Sequence, residues 1–261
     1  MGTIAELNGQ GIYFEDSGGS GRPIILAHGF LMDGRMFDPQ VAALAPEFRV
    51  IRWDARGFGR TRWDGKPFSL WDSAADCIAL LDHLGIDKAV VGGMSQGGYC
   101  ALRIALRYSE RVKALVLMST RGTNDAEETK AGYLQAAQVW STVGPEPIIQ
   151  ALSGPILGDP RHFATWQERW RQVPAASYLA ATRNLVDRDD ISGRLKEIRC
   201  PAIVFHGLED SGIPPTDGEF LHKTLPGSVR FVGVPGATHA ASLTHPEVVN
   251  PPLLEFLRAH A

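Results

Sequence analysis

The sequence predicts an α/β fold: a mostly parallel central sheet with helices on both faces. Three observations predict it. Short, continuously apolar runs recur along the chain, helical patterns with cap signals separate them, and one long stretch without any strand interrupts the alternation. Runs too apolar to have a wet face are the mark of strands covered on both sides. Their alternation with helices is the pattern of βαβ units joined by right-handed crossovers.

Taken in order, "GIYFEDSGGSGR" reads as a leading strand that ends in a glycine-rich turn. "PIILAH" (23–28), "RVIRW" (49–53), "KAVVGG" (88–93), "VKALVLM" (112–118), "AIVFHG" (202–207) and "VRFVGV" (229–234) read as the buried strands. Within "SLWDSAADCIALLDHLG", Trp71, Ala74, Ile78 and Leu81 share one helical face. Ser69 with Asp72 three residues on forms a capping-box pattern, and Gly85 supplies the stop. From Arg121 to about Asp190 no strand is visible, only helical stretches carrying Tyr133, Trp140, Phe163, Trp166, Trp170 and Tyr178. The simplest reading is a helical lid, 121–190, inserted into a core formed by 1–120 and 191–261, its aromatics burying it against that core. In "EVVNPPLLEFL", Pro251 and Pro252 predict a break in the C-terminal helix, with Asn250 capping a restart.

Composition narrows the function classes. A length of 261 residues suits one large domain with an inserted subdomain, and 44% hydrophobic residues supply a sizeable core. A net charge of -3 gives no electrostatic case for nucleic acid or an anionic membrane. No apolar stretch reaches membrane-spanning length, and "MGTIAELNGQG" carries no signal-peptide pattern. Three scattered cysteines, Cys77, Cys100 and Cys200, suit neither disulfides nor a metal, so a reducing cytoplasm is the expected location.

The chemistry concentrates at "VVGGMSQGGYCALRIAL". Gly93-x-Ser95-x-Gly97 lies between a strand and a helix, which is the context of a nucleophile elbow. Such a turn holds the serine in a strained conformation with its hydroxyl above the sheet edge, and glycines two residues either side relieve crowding. A serine hydroxyl is a weak nucleophile and needs a base, an orienting acid and an oxyanion hole. Among eight histidines, His239 in "VPGATHAASL" follows the last strand on a loop of small residues, where a base reaches Ser95. His83 and His260 lie on helices, His162 and His222 in helical surroundings, and His206 ends a buried strand. His245 precedes Pro246 at a helix start, and His28 belongs to another loop. For the acid, "FHGLEDSGIPP" offers Asp210, with Glu209 as its exposed neighbour and Asp125 as a remote alternative. In "AHGFLMDG" a strand-end turn aims the Phe30 backbone N–H toward the point faced by the N–H of Gln96. Two such donors stabilise a developing oxyanion.

Together "HGF", "DARGFGRT", "GMSQGG", "HGLEDSGIP" and "GATHAASLTHPE", in that order along nearly the whole chain, resemble the α/β-hydrolase fold family. "RMFDPQVAAL", "LLDHLGI" and "ALRYSERVKALVLMST" most resemble 3-oxoadipate enol-lactonase and related small bacterial esterases. "HGFLMD" and Gln96 are closer to esterases and cofactor-free haloperoxidase-type hydrolases. The resemblance implies a lid inserted after the sixth strand, structural roles for Asp54 and Arg56, and neither metal nor organic cofactor. It implies a Ser95–His239–Asp210 triad acting on small esters or lactones, with Met94, Trp140 and Phe30 expected at the pocket wall. The same triad serves C–C bond hydrolysis or peracid formation, and a weakly catalytic ligand receptor is the rival from outside enzymology. Relatives that open epoxides or remove halide carry aspartate where Ser95 stands. The oligomeric state has no signature here.

Overall fold

The computed structural model describes residues 2–261, and its sheet has eight strands. They are β1 (Thr3–Leu7), β2 (Gln10–Asp16), β3 (Arg22–Ala27), β4 (Phe48–Trp53), β5 (Ala89–Met94), β6 (Val112–Met118), β7 (Ala202–Gly207) and β8 (Ser228–Val234). Their order across the sheet is 1-2-4-3-5-6-7-8, antiparallel only at β1–β2 and β2–β4. The helices are α1 (Asp38–Leu44), α2 (Leu70–His83), α3 (Gln96–Arg107), α4 (Glu127–Thr142), α5 (Glu146–Leu157), α6 (Phe163–Arg171), α7 (Ala175–Val186), α8 (Pro215–Thr224), α9 (Ala241–Thr244) and α10 (Pro246–His260). The apolar runs of β3, β5, β6 and β7 bury both faces as expected, but β8, at the edge of the sheet, does not: Val229 is 52% exposed and only Val234 is fully buried. Ile25, Val91, Leu115 and Val204 join one core with α2 and α3, while Ile24, Val90, Val116 and Ile203 join a second with α10. The capping box at α2 is formed: Ser69 Oγ accepts from the Asp72 N–H and the Asp72 carboxylate accepts from the Ser69 N–H.

One strand stands outside the sequence reading, and one expectation about the helices needs correction. β1 carries no apolar run because it is an edge strand with mostly exposed side chains. It is fixed instead by the Asn8-Gly9 hairpin turn, with φ of +50° and +75°. The C-terminal helix does not break at Pro251. α10 runs through both prolines, and Asn250 caps nothing: its Nδ2 donates to the Pro39 carbonyl and its Oδ1 accepts from Gln40 Nε2. Burial of Val249, Leu253, Phe256 and Leu257 on one face outweighs the hydrogen bonds the prolines remove.

Between β6 and β7 the chain forms α4 to α7 and no strand. Trp140 stacks on Tyr178 with ring centroids 4.1 Å apart, and Trp166 and Trp170 are buried in the same core. The C-terminus of α5 clasps the loop after β8, for the Ala240 N–H donates to the Ile156 carbonyl at 2.8 Å and the His239 N–H to the Pro155 carbonyl at 3.4 Å.

Candidate active site

The junction of β5 and α3 turns at Ser95, which has φ +53° and ψ -116°, a conformation side chains rarely adopt. The backbone is locked on both sides: the Ser95 N–H donates to the Met118 carbonyl, and Thr120 Oγ1 donates to the Ser95 carbonyl, each at 2.9 Å. A methyl group at Gly97 would overlap the Ala27 carbonyl, and one at Gly93 would overlap the Gly97 backbone. The glycines are therefore demanded by close approach of chain to chain.

The loop after β7 presents Asp210 and the loop after β8 presents His239. His239 Nδ1 lies 2.6 Å from Asp210 Oδ2, while Asp210 Oδ1 accepts from the Gly212 and Ile213 N–H groups at 3.0 Å each. Burial alone would push the Asp210 pKa up. His239, His206 and the Ile213 N–H outweigh it and hold the carboxyl well below the usual carboxylate range. Asp210 is thus an anion placed to accept the Nδ1–H of His239, and with the proton held there Nε2 is the ring nitrogen able to take one up. Glu209, its rival in the sequence, is exposed. Asp125 is engaged elsewhere, paired with Arg188 at 2.5 Å and with Arg121.

Ser95 and His239 line one cavity of about 100 Å³, together with Phe30, Tyr99, Asp125, Tyr133, Leu152, Ile156 and Leu185. No hydrogen bond joins the Ser95 hydroxyl to the His239 ring across it, as is common before a substrate draws base and nucleophile together. The Phe30 N–H donates to no described residue, and the Gln96 N–H, first in α3, has no acceptor within the helix. The Phe30 loop is held by His28. The Ala55 N–H donates to His28 Nε2 at 3.0 Å, so Nδ1 carries the proton and donates to the Gly29 carbonyl at 2.8 Å. Asp54 accepts from the Gly34 and Arg60 N–H groups, and Arg56 pairs with Asp76; both are structural braces.

The pocket wall differs from expectation. Met94 is fully buried and points beneath the elbow against Gly29, since alternate strand residues face opposite sides. Trp140 is turned into the insertion, stacked on Tyr178 with its Nε1 donating to the Val173 carbonyl. Neither lines the cavity; Phe30 does. The polar side of the wall is Tyr99, Tyr133 and Asp125, and burial pushes the Tyr133 phenol up to about 12. Tyr99 was findable, one helical turn beyond Ser95. The contributions of Leu152, Ile156 and Leu185 depend on how the insertion docks.

With this geometry in view, comparison with known proteins is decisive at the level of family. The family model described as alpha/beta hydrolase fold matches residues 22–149. A thermophilic esterase from Thermogutta terrifontis superposes with a TM-score of 0.92 at 30% identity, covering 99% of this chain and 98% of that one. The chain belongs to the alpha/beta hydrolase fold family. It is a hydrolase of that family, related to small bacterial esterases and lactonases. A non-heme chloroperoxidase from Streptomyces lividans is 28% identical over 99% of this chain and 100% of its own length. The enol-lactonase from Burkholderia xenovorans shares the fold with a TM-score of 0.91 at 24% identity, covering 98% of this chain and 99% of that one. No described helix is long and apolar enough to cross a membrane.

Proposed function

We propose that the protein is a serine esterase acting on small carboxylic esters or lactones through an acyl-enzyme. The observation that carries this reading is the strained Ser95, facing the same small cavity as a histidine hydrogen-bonded at 2.6 Å to a buried, ionised aspartate. In the reading, Ser95 Oγ bonds to the acyl carbon as its proton passes to His239 Nε2. The Phe30 and Gln96 amides take up the oxyanion, each such donor contributing about 3 kcal/mol. The C–O bond to the alcohol then breaks and His239 returns the proton to the departing oxygen. Water, activated by the same imidazole, releases the acid. Residues 121–190 act as the lid, with α5 bracing the His239 loop.

The test is Ser95→Ala assayed with p-nitrophenyl acetate. Turnover falls by about 10⁴-fold or more, because triad members act as a unit; retained turnover rejects the assignment. The name of the Streptomyces relative favours one second reading, in which hydrogen peroxide intercepts the acyl-enzyme and yields a peracid. The ratio of peracid to acid formed from one ester in the presence of peroxide decides between them.

A further inference from the structure

The cavity at Ser95 holds little. Its volume of about 100 Å³ lies well below the ordinary range for a small-molecule site, so it suits a small acyl group. Beside it lies a cleft of about 630 Å³ between the start of α2 and the flank of α7, within the ordinary size range for a small-molecule site.

A single layer of side chains separates the two. Leu70 faces the cleft and packs in one cluster with Tyr99, Leu185 and Ile213, all three of which face the cavity. Asn184 and Leu185, adjacent on α7, line opposite sides. Arg188 lines the cleft, while its ion-pair partner Asp125, 2.5 Å away, lines the cavity.

The chemistry of the cleft is aromatic and electrically balanced. Trp63, Phe68 and Trp71 supply flat ring surfaces, and Leu179 of α7 is 41% exposed beside them. The charges cancel: Arg188 is paired with Asp125 and Asp189 with Arg103, which leaves one arginine, Arg183, and one aspartate, Asp187. Such walls accept an uncharged ring better than an ion.

We propose that this cleft binds the alcohol half of the substrate, an uncharged aromatic or bulky apolar alcohol, and that Leu70 and Leu185 form the gate across which the ester bond is presented to Ser95. The proposal rests on the reading of Ser95 as nucleophile. It narrows the substrate class to esters that join a short acyl group to a large apolar alcohol.

Acetate esters test it cleanly, because all of them give the same acetyl-enzyme. Differences in kcat/KM among them arise before the alcohol leaves, and the ratio of variant to wild type cancels intrinsic reactivity. Ala180→Trp fills the cleft from α7. It lowers kcat/KM for 2-naphthyl acetate at least tenfold more than for methyl acetate, and Leu70→Ala, which widens the gate, moves the ratio the other way. Equal effects on both esters, or none, overturn the proposal. A second arm needs no turnover: 2-naphthol added to Ser95→Ala shifts the indole N–H resonances of Trp63 and Trp71, and Ala180→Trp weakens that binding at least tenfold. Naphthol shifts without any ester turnover would sink the nucleophile reading and leave the cleft as an aromatic-ligand site. Turnover with no shift at Trp63 or Trp71 would sink the cleft.

Discussion

Ser95 and His239 are fixed by opposite means. The elbow is held at its backbone: the Ser95 N–H donates to the Met118 carbonyl, Thr120 Oγ1 donates to the Ser95 carbonyl, each at 2.9 Å, and its glycines pack so closely that a single methyl group would collide with the chain. The His239 loop is held from outside, by the Asp210 carboxylate and by the end of α5, whose own position depends on aromatic packing such as Trp140 on Tyr178. Ser95, the proposed nucleophile, is therefore built into the sheet, whereas His239, the proposed base, is positioned by side chains and by an insertion. Damage to the two regions should read out differently, in stability for the elbow and in catalysis or local opening for the loop.

The sharpest break is Asp210→Asn. It leaves the sheet intact but permits the wrong tautomer of His239, and kcat on p-nitrophenyl acetate falls by about 10⁴-fold, about 5.5 kcal/mol; Glu209→Gln, exposed beside it, changes kcat less than twofold. Next is Gly97→Ala, whose methyl has no room against the Ala27 carbonyl. It costs about 4 kcal/mol or more in denaturant unfolding, a size reserved for strain at such sites. Trp140→Ala follows, at about 3 kcal/mol for a buried aromatic removed. It speeds hydrogen exchange at the Ala240 amide, bonded to α5, while leaving the Ser95 amide protected, since that one bonds within the sheet.

A pH measurement sharpens the same contrast. The folded pKa of Asp210 is depressed, so the unfolded chain takes up the proton first. Its contribution to stability is complete above the ordinary carboxylate value of about 4 and drains away as pH falls below it. Asp210→Asn should flatten the acid limb of Tm against pH relative to wild type, and an unchanged limb would contradict the charge assigned to Asp210. The smallest effect belongs to the insertion. Asn184 is 3% exposed and neither of its amide atoms has a partner among the described residues, so Asn184→Leu stabilises the protein by about 1 kcal/mol.

The same contrast explains what could be read from residues alone. β3 to β7 were legible because a strand buried on both faces must be apolar, β8 because its Val and Phe run persists even at an exposed edge, and the elbow because close backbone approach demands glycine at fixed positions. Asp210 and His239 were legible because strand-end loops bring them to one corner of the sheet. β1 escaped because an edge strand need not be apolar, although Asn8-Gly9 carried the hairpin signal. Pro251 and Pro252 misled because tertiary burial of one face of α10 overrode local preference. Met94 and Trp140 misled for a third reason. A neighbour in sequence points to the opposite side of a strand, and the facing of an insertion is decided by docking that no local pattern encodes.

Labelling with a fluorophosphonate, followed by intact-mass and peptide mass spectrometry, tests the central claim most directly. One adduct per chain, mapped to Ser95, absent from Ser95→Ala and slowed at least a hundredfold in His239→Ala, is the expected result. An adduct on any other residue, or labelling of the Ser95→Ala protein at the wild-type rate, would contradict the account.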